Sequence, residues 1–589
     1  RETFAPSEHK IPRVNVDHIQ GVWTIECPNH DRAHASFFET WGTRYDNRDA
    51  IDLLEMVCNN KEIVVKYTAE ETERTGRTGV NRDATVAAQA KAAKISEAFQ
   101  KWIFADETRR DELVTVYNER FNCLRAPRYS GAALTLPGLS KRFEPHPYQR
   151  DAVARIIAEP NVLLDHVVGA GKSGTMFMAA MELRRLGLAR QPWIVVPNHI
   201  IEQVGKEAKW WYPSAEILLG APGTDPEGRR RFVAQSATSD WDMVIVPQSL
   251  FEAIPVGPEV QRDYIERELE ILREALSATT EDTTPTSVKR LEKALQRYET
   301  KLNDLTDQAS KDTGLRFEQT GADYLFVDEA HMFKNRTRLS AVKELACPNG
   351  SERADDLAMK MDMLRQRRRE EALAVGRQPT AADERVATFA TGTPVANSLG
   401  EMYVMQRYLR PDLLDDAGVF HLNDWGAAFT STVNTVEVNA TGTQLRPVTR
   451  VGKFCNLQEL LKLSSVFTDV ITRDQVLDQA NIELPELVGG KRTIINLPAD
   501  QELKDVITDL GYRATAIDPK NMARDNILKI SNDGREASLD PRMVHLPAPA
   551  YSRTAAVADQ IMAVHNATAD RIYKDPLHGH DMPNPGALQ

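Results

Sequence analysis

Five short apolar runs, each followed by a helical pattern, constrain the fold of this chain more than any other feature. Gly, Pro, Asp or Thr bounds each run, and the runs lie at Asn161–Leu164, Trp193–Val196, Met243–Val246, Tyr324–Val327 and Val386–Ala390. Such runs are typical of strands that are buried on both faces of a parallel sheet. Their alternation with helices predicts a doubly wound α/β fold, in which ligands bind beyond the carboxyl ends of the strands.

A phosphate-binding pattern follows the first run, where Asp165–Ser173 reads DHVVGAGKS. Glycines in such a loop let backbone N–H groups close around phosphate oxygens. Lys172 supplies a positive charge for the β- and γ-phosphates, and the Ser173 hydroxyl suits Mg²⁺. His166 stands where the general pattern has Gly, and a glycine-rich turn without a ligand is the alternative interpretation. We predict a nucleotide-binding loop made of Val168, Gly169, Ala170, Gly171, Lys172 and Ser173.

Two acidic residues follow the fourth run, where Tyr324–His331 reads YLFVDEAH. We predict that Asp328 holds Mg²⁺ through water and that Glu329 is the general base that polarises the attacking water. His331 is then the natural relay to the next motif. A surface acidic turn is the alternative, and the phosphate-binding pattern on the same predicted sheet weighs against it.

Two further segments extend the predicted nucleotide site. In Ala390–Pro394 (ATGTP), the hydroxyls of Thr391 and Thr393 are predicted to hydrogen-bond the acidic box and report the nucleotide state. Upstream of the first strand, His146–Arg150 reads HPYQR, and the side-chain amide of Gln149 is suited to the adenine edge. An ordinary loop before a helix is the alternative for this last segment.

These segments, in this order, resemble superfamily 2 helicases and most closely the Swi/Snf-type translocases. Asp328–Asn335 resembles the extended acidic box of that family, and Thr391–Tyr403 resembles the stretch that follows it. Trp193–Gln203 and Met243–Phe251 are similar to two further family motifs. The resemblance implies a RecA-like ATPase lobe, ATP and Mg²⁺ as cofactors and double-stranded DNA as partner. It also implies that the DNA backbone is faced by Pro197, Gln248 and Ser249.

Three outer segments resemble a narrower group, the large helicase–DNA-methylase fusions of phages, plasmids and other mobile elements. They are Trp41–Tyr45, Tyr117–Asn122 and Asp533–Asp540. This resemblance implies a methyltransferase domain in the same polypeptide, upstream of Arg1, and the cytoplasm of a bacterial or phage-infected cell. The leading hypothesis is an ATP-dependent DNA translocase or helicase. The alternatives are a non-catalytic DNA-binding scaffold with a vestigial nucleotide pocket, and the motor of a restriction system.

The predicted organisation has four parts. Residues 1–135 form a mainly helical accessory region, 136–410 the first RecA-like lobe, 411–487 a helical linker, and 488–589 the start of an incomplete second lobe, beginning at Lys491–Leu497. In the accessory region, Ala84–Phe121 is predicted to form two helices with an apolar core stripe at Ile95, Phe99, Trp102 and Ile103.

Two charged segments interrupt the first lobe. A helical hairpin insertion is predicted at about residues 258–318, with its helices in Pro258–Gln308. Ala354–Arg377 is predicted to be a helix whose arginine run forms a solvated face, with contact to DNA phosphates as the alternative. The run comprises Arg365, Arg367, Arg368 and Arg369.

Composition sets outer limits on function. The formal net charge is −12, which weighs against a broadly basic DNA-binding surface but leaves room for a local groove. No apolar segment approaches the length of about 20 residues that spans a bilayer. The five cysteines form no Cys-x-x-Cys pair, and Cys27 beside His30 and His34 is interpreted as incidental rather than a zinc site.

One family motif has no match in this chain. The second lobe of such motors supplies phosphate-stabilising arginines from a Gln-x-x-Gly-Arg-x-x-Arg-like segment, and nothing from Val488 onward fits it; Gly534-Arg535 comes nearest. An arginine of this kind contributes roughly 10³–10⁵ in rate. We therefore expect the chain, which also lacks an initiator Met, to be a fragment that turns over ATP poorly alone.

Overall fold

The computed structural model describes residues 14–19, 21–26, 40–43, 49–77, 79–277, 316–336, 350–396, 398–438, 445–480, 494–517, 525–547, 552–570, 572–574 and 580–582, with 292, 295, 296, 299, 300, 345 and 347 singly. Cys27, His30, His34 and most of the second half of the predicted hairpin insertion lie outside these residues.

A seven-stranded parallel sheet is the largest sheet among the described residues and confirms the predicted fold class. Its strand order is β11-β3-β8-β7-β4-β6-β5, and every neighbouring pair is parallel. The five predicted apolar runs all form strands of this sheet, each shifted by no more than two residues. The strands are β3 Val162–His166, β4 Pro192–Val196, β5 Ile217–Leu219, β6 Met243–Pro247, β7 Tyr324–Asp328, β8 Ala387–Thr391 and β11 Thr468–Ile471.

Alternate residues of each strand pack into two separate cores, one on each face of the sheet. Leu164, Ile194 and Phe326 contribute to one core together with helices that follow β3 and β4. Leu163 and Val195 point the other way and contribute to a larger core. Because both faces are covered, the strands need no polar alternation, which explains why the sequence shows continuous apolar runs.

The sheet extends beyond the predicted boundaries of the first lobe, because β11 lies after residue 410. It pairs with β3 in the register Asp469↔Leu164 and Ile471↔His166. Neither β11 nor β5 was predicted. Both are edge strands of four residues or fewer, and Thr468 and Asp469 give β11 a polar beginning. Strands this short lack the periodic signal on which such predictions depend, and in β11 the polar residues interrupt the apolar run as well.

Helices connect and flank the strands. They are α1 Ala50–Cys58, α2 Ala69–Thr75, α3 Arg82–Ala105, α4 Glu107–Tyr117, α5 Pro147–Ala158, α6 Lys172–Arg185, α7 Ile201–Trp211, α8 Pro226–Thr238, α9 Gln248–Ala253, α10 Pro258–Ser277, α11 Glu352–Ala374, α12 Gly400–Leu409, α13 Pro411–Asp416, α14 Leu422–Phe429, α15 Leu457–Phe467, α16 Arg473–Ala480, α17 Gln501–Thr515, α18 Ile527–Leu539 and α19 Arg553–Thr568. None of them combines the length and apolarity that a bilayer crossing requires.

The first helix of the predicted insertion is present as α10, between β6 and β7. The prediction that the arginine run of α11 forms a solvated face is only partly correct, because the side chains of Arg367 and Arg369 are 40% and 51% exposed. Arg365 is buried against Glu384, and Arg368 donates to the backbone oxygens of Leu188 and Asp323. Ion pairs with acidic residues of the same chain also engage Arg367 and Arg369. Arg365, Arg368 and Arg369 therefore fasten α11 to the segments at the amino-terminal ends of the strands, whereas the ion pair of Arg367 with Glu371 lies within the helix.

The N-terminal region begins with an antiparallel hairpin, β1 Asn15–Ile19 and β2 Val22–Glu26, before its helices. Ala84–Phe121 contains α3 and α4, as predicted, followed by a short π-helix at Asn118–Asn122. The predicted core stripe is only partly correct. Ile95 is fully buried, whereas Phe99 is 47% exposed because the second half of α3 extends past the small core around Leu53.

The chain divides into two compact units, residues 1–433 with 449–483, and residues 434–448 with 484–589. In the second unit α17 and α18 pack together, and Arg513 forms ion pairs with Asp525 and Asp533 at 2.8 Å. This unit also contains the two-stranded sheet β12 Tyr573–Lys574 with β13 Asp581–Met582. The predicted start at Lys491–Leu497 lies partly outside the described residues, and 494–497 form no regular element. Strands β9 Thr430–Val438 and β10 Leu445–Phe454 pair with each other.

Candidate nucleotide site

The predicted phosphate loop connects the carboxyl end of β3 to the first turn of α6. Gly169 and Gly171 have φ of +90° and +71°, in the region that favours glycine. A Cβ atom on Gly169 would meet no atom within 4 Å, so the crest of the loop is open. Val168 is exposed, Ala170 is buried, and Ser173 lies in the first turn of a helix of 14 residues. This loop presents a helix N-terminus to an open crest, which is the geometry that binds phosphate.

Lys172 is directed back along the loop. Its Nζ donates to the backbone oxygen of His166 at 3.0 Å and reaches that of Val167 at 3.5 Å. The neighbouring Asp165 is half-buried, and burial raises the pKa of its carboxyl group, against the opposing charges of His166 and Lys172. The ammonium group is thus held beside the loop by carbonyl oxygens.

The acidic box ends β7, two strands away from the loop. Register pairs Asp328 with Ala390 of β8, and Ala390 with Leu164 of β3, so the three carboxyl ends lie at one edge. Burial raises the pKa of Asp328 to about 6; the adjacent Glu329 charge adds to this rise, while the Glu329 N–H and Lys172 oppose it. The influence of Lys172 on this carboxyl group places the two predicted motifs in one electrostatic environment.

Glu329 adopts an unusual backbone conformation for a residue with a side chain, with φ of 49° and ψ of 46°. Gly enters this left-handed region readily and Asn and Asp do so occasionally. For other residues the conformation costs roughly 1–2 kcal/mol. Strain of this kind clusters at functional sites. The turn directs the Glu329 carboxylate to within 3.1 Å of His331 Nδ1.

His331 joins the acidic box to the threonine motif. Its Nδ1 lies 3.1 Å from Thr391 Oγ1, and Thr391 is buried and accepts from the backbone N–H of Thr393 at 3.1 Å. Behind these residues a buried ion pair joins Lys334 to Glu401 at 3.3 Å, and Glu401 accepts from Ala396 N–H at 2.7 Å. The acidic box is therefore fastened at two points, to the end of β8 through Thr391 and to the segment after β8 through Glu401.

Pro197, Gln248 and Ser249 line a cleft of about 500 Å³ that also includes Glu329 and His331. Gln248 is buried, and its amide donates to the backbone oxygen of Asp328 at 3.4 Å. Ser249 N–H donates to Asn198 Oδ1 at 3.1 Å. The three residues predicted to face DNA thus adjoin the acidic box, and Gln248 contacts its backbone directly.

Gln149 lies under the phosphate loop. Its Nε2 donates to the Gly171 backbone oxygen at 3.2 Å, and its Oε1 accepts from His146 N–H at 2.9 Å. The side chain is 4% exposed. Both ends of the amide therefore contact the protein, and the contact with adenine remains a prediction. Tyr148 supports the loop as well, since its hydroxyl donates to the Ala170 backbone oxygen at 3.1 Å.

The donor set fits Mg²⁺ and a nucleotide. Ser173 and Asp328 offer hydroxyl and carboxylate oxygens, the ligands that this hard cation prefers. Among the described residues, no group of three or more His, Cys, Asp or Glu side chains could hold a metal alone. A magnesium ion shared with nucleotide phosphates agrees with both observations, because phosphate oxygens complete its shell.

We expect Gly171→Ala to weaken nucleotide binding severely. The new Cβ would lie 2.5 Å from Gln149 Nε2 and would carry the cost of a positive φ. Gly187→Ala is the matched control, because Gly187 has the same φ of +71°, ends the same helix and meets no atom within 4 Å. Titration of a fluorescent ATP analogue should show at least about a tenfold loss of affinity for Gly171→Ala only, as expected from a displaced phosphate contact. Equal affinities in the two variants would contradict the placement of the loop.

We expect Asp328→Asn to stabilise the free protein at pH 7.5. The folded pKa of about 6 exceeds the ordinary value of 3.8, so the ionised carboxylate destabilises the fold above pH 6, and this cost disappears below pH 3.8. Two pKa units correspond to about 3 kcal/mol as an upper limit. Thermal unfolding without Mg²⁺ and nucleotide should show a higher unfolding midpoint for Asp328→Asn at pH 7.5 and a smaller increase at pH 5. Asp416→Asn, a change at an exposed residue, is the control. A less stable variant at pH 7.5 would contradict the burial argument.

Two family models match this chain. A family model described as a probable helicase domain matches residues 156–472, and a domain of unknown function matches residues 1–123. Defense against restriction protein B of Escherichia phage P1 is 25% identical over 444 residues. The alignment covers 67% of this chain, which spans only 18% of that protein's length.

Two solved structures were also compared with the chain. The Sulfolobus solfataricus SWI2/SNF2 ATPase core in complex with dsDNA is 12% identical, with 74% of this chain and 67% of that chain covered. The same core without DNA is 11% identical, with 72% and 62% covered. Both TM-scores are 0.29, too low for either comparison to carry an argument. The helicase model, however, covers more than half of the sequence and both candidate motifs, and this chain therefore belongs to the probable helicase domain family.

Proposed function

We propose that this chain is an ATP-dependent DNA translocase or helicase module, in which hydrolysis of a nucleoside triphosphate drives movement on duplex DNA. One observation carries the proposal: neighbouring strands β3, β8 and β7 bring Lys172, Thr391 and the pair Asp328–Glu329 to the same edge of the sheet. Membership of the helicase family supports the coupling of this site to nucleic acid.

Each residue has a proposed role. Lys172 binds the β- and γ-phosphates, and backbone N–H groups of the loop enclose the other phosphate oxygens. Ser173 and Asp328 would hold Mg²⁺, which would supply positive charge to the transferring phosphate. Glu329 orients and deprotonates the attacking water as general base. His331, in contact with both Glu329 and Thr391, orients the carboxylate and links the state of the site to the loop after β8.

The DNA surface is proposed to lie beside the cleft that contains Pro197 and Ser249. Helix α8 begins at this side of the sheet, because Phe232, Pro247 and Leu250 surround Gly220 at the end of β5. Its first turns carry Arg229, Arg230 and Arg231, and Arg230 and Arg231 are exposed. The described residues provide no ion pair for these three arginines, in contrast to the arginines of α11. Exposed arginines without an ion pair among the described residues would suit a phosphate backbone at this end of α8.

We expect the triple change of Arg229, Arg230 and Arg231 to Gln to weaken duplex-DNA binding at 100 mM salt by about tenfold or more. Each lost phosphate contact should reduce the slope of log K against log salt by about 0.9. Arg367→Gln is the control, since an ion pair with Glu371 at 3.3 Å already engages that arginine. Fluorescence anisotropy over a salt series measures both quantities, and an unchanged slope would exclude this surface.

The proposed function requires that nucleotide and DNA affinities depend on each other. We expect the duplex-DNA dissociation constant to change at least about fivefold between a non-hydrolysable ATP analogue and ADP. Anisotropy measurements on the protein with each nucleotide test this directly. Tight DNA binding without any nucleotide dependence would instead favour the non-catalytic scaffold.

Similarity to Defense against restriction protein B supports a proposed role in protecting incoming DNA from restriction, in the cytoplasm of a bacterial or phage-infected cell. A methyltransferase domain in the same polypeptide remains a prediction. Inactivation of the gene should lower phage plating on a restricting host and leave plating on a non-restricting host unchanged. Equal plating on both hosts would exclude this role while leaving the motor activity open.

A further inference from the structure

A buried polar contact ties the phosphate loop to β11, an edge strand far downstream in the sequence. His166, the last residue of β3, is fully buried, and its Nε2 lies 2.7 Å from Asp469 Oδ2, 303 residues later on β11. Because Nε2 faces a carboxylate, it carries the hydrogen and donates. The other ring nitrogen, Nδ1, is buried without a hydrogen-bond partner among the described residues. Among the described residues, Asp469 is therefore the hydrogen-bond partner of the ring, and the Tyr148 ring packs edge-on against it with centroids 6.4 Å apart.

Arg155 fixes the second oxygen of the same carboxylate. Its Nη1 lies 3.3 Å from Asp469 Oδ1, and its Nη2 donates to the backbone oxygens of Ser465 and, at 3.1 Å, Val466. Arg155 is 6% exposed and belongs to α5, the helix that also carries Gln149. Asp469 thus accepts from one donor at each oxygen, and neither donor has a substitute acceptor in solvent.

The backbone of His166 lies at the proposed reaction site. Its carbonyl oxygen accepts from Lys172 Nζ at 3.0 Å and would lie 3.2 Å from a Cβ atom on Gly392, in the turn after Thr391. One residue therefore contacts β11 through its side chain and the proposed catalytic lysine through its carbonyl group.

Two further contacts join the loop to β11 and α16. Val167 N–H donates to the Ile471 backbone oxygen at 3.0 Å, which extends the β3–β11 pairing into the loop. Ala170 of the loop packs in a small core with Tyr148, Ile471 and Val476. Polar, backbone and apolar contacts all converge on the same short segment.

We propose that His166 and Asp469 are positioning residues for the nucleotide site, and that β11 is the anchor that sets the position of Lys172. This proposal rests on the proposed function of the loop. It explains why the first position of the phosphate loop is His rather than Gly: a side chain is needed there to reach β11. Residues far downstream of the ATPase motifs thereby determine how tightly Mg·ATP is bound.

Asp469→Asn tests the proposal because Asn has one acceptor oxygen and cannot serve His166 and Arg155 together. We expect the dissociation constant of a fluorescent ATP analogue, measured with Mg²⁺, to rise about tenfold, the effect of one charge-assisted hydrogen bond. His166→Gln should produce a similar rise. The double variant should bind no more weakly than either single variant, since all three break the same contact.

Glu384→Gln is the matched control. Glu384 is a similarly buried carboxylate that forms ion pairs with two arginines, Arg365 at 3.4 Å and Arg369 at 2.6 Å, but it precedes β8 at the opposite, amino-terminal end of the strands. Gln removes the negative charge that faces both arginines, as Asn does at position 469 for His166 and Arg155. We expect a lower unfolding midpoint for this variant with the wild-type affinity for nucleotide.

Three outcomes separate the possibilities. Wild-type protein that binds no nucleotide would overturn the proposed function itself. Wild-type binding with unchanged affinity in folded Asp469→Asn and His166→Gln would overturn the positioning role alone. Equal losses of affinity in Asp469→Asn and Glu384→Gln would show a general effect of instability and would overturn it as well.

Discussion

Glu329→Gln should reduce nucleotide turnover by about 10²–10⁴, the usual contribution of a general base, while the affinity for nucleotide stays within about a factor of three. In the unmodified protein a carboxylate oxygen of Glu329 lies 3.1 Å from His331 Nδ1. Gln has the same size and can keep this contact, but it cannot accept a proton from water. Single-turnover hydrolysis by the protein in the presence of duplex DNA measures the chemical step. A fluorescent analogue measures binding in the same preparation.

Glu370→Gln is the control for this change, because Glu370 is an exposed glutamate on α11, far from the sheet's carboxyl edge. Turnover by Glu329→Gln at the wild-type rate would remove Glu329 as the base. Loss of binding together with turnover would instead indicate that the strained turn at φ of 49° depends on the carboxylate.

Lys172→Ala should lose both nucleotide binding and turnover. A hydrogen bond to a charged group contributes about 1.5–3 kcal/mol, so we expect nucleotide to bind about 10–100-fold more weakly. The change also removes the positive charge that opposes the raised pKa of Asp328, which weakens the metal ligand. Lys206→Ala on the exposed side of α7 is the control.

Equilibrium titration with a fluorescent ATP analogue, at fixed Mg²⁺, measures this effect. Retention of full affinity by Lys172→Ala would mean that the loop between Gly169 and Gly171 does not bind the nucleotide phosphates, and the assignment of the whole site would be wrong.

Much of the fold could be predicted from sequence because the information was local. Each central strand is an uninterrupted apolar run, and each motif follows its strand directly, as with Asp328 after Tyr324–Val327. The parallel arrangement then brings separate motifs to one edge. Contacts such as that between His331 and Thr391 follow from β7 and β8 being neighbours.

Long-range partners could not be predicted in the same way. Asp469 follows Thr468 in a half-polar strand of four residues, and nothing in its surroundings indicates pairing with His166. Arg365 and Arg368 likewise looked like members of a solvated run, because a sequence shows charge but not the distant carboxylates and carbonyls that meet it. His166, the departure from the general loop pattern, was the one available signal of a contact in this region.

ATP turnover by the protein, measured with and without duplex DNA, is the most direct test of the proposed motor function. We expect hydrolysis that duplex DNA stimulates and that Lys172→Ala abolishes. Hydrolysis at the same rate with and without DNA, or hydrolysis that survives Lys172→Ala, would contradict it.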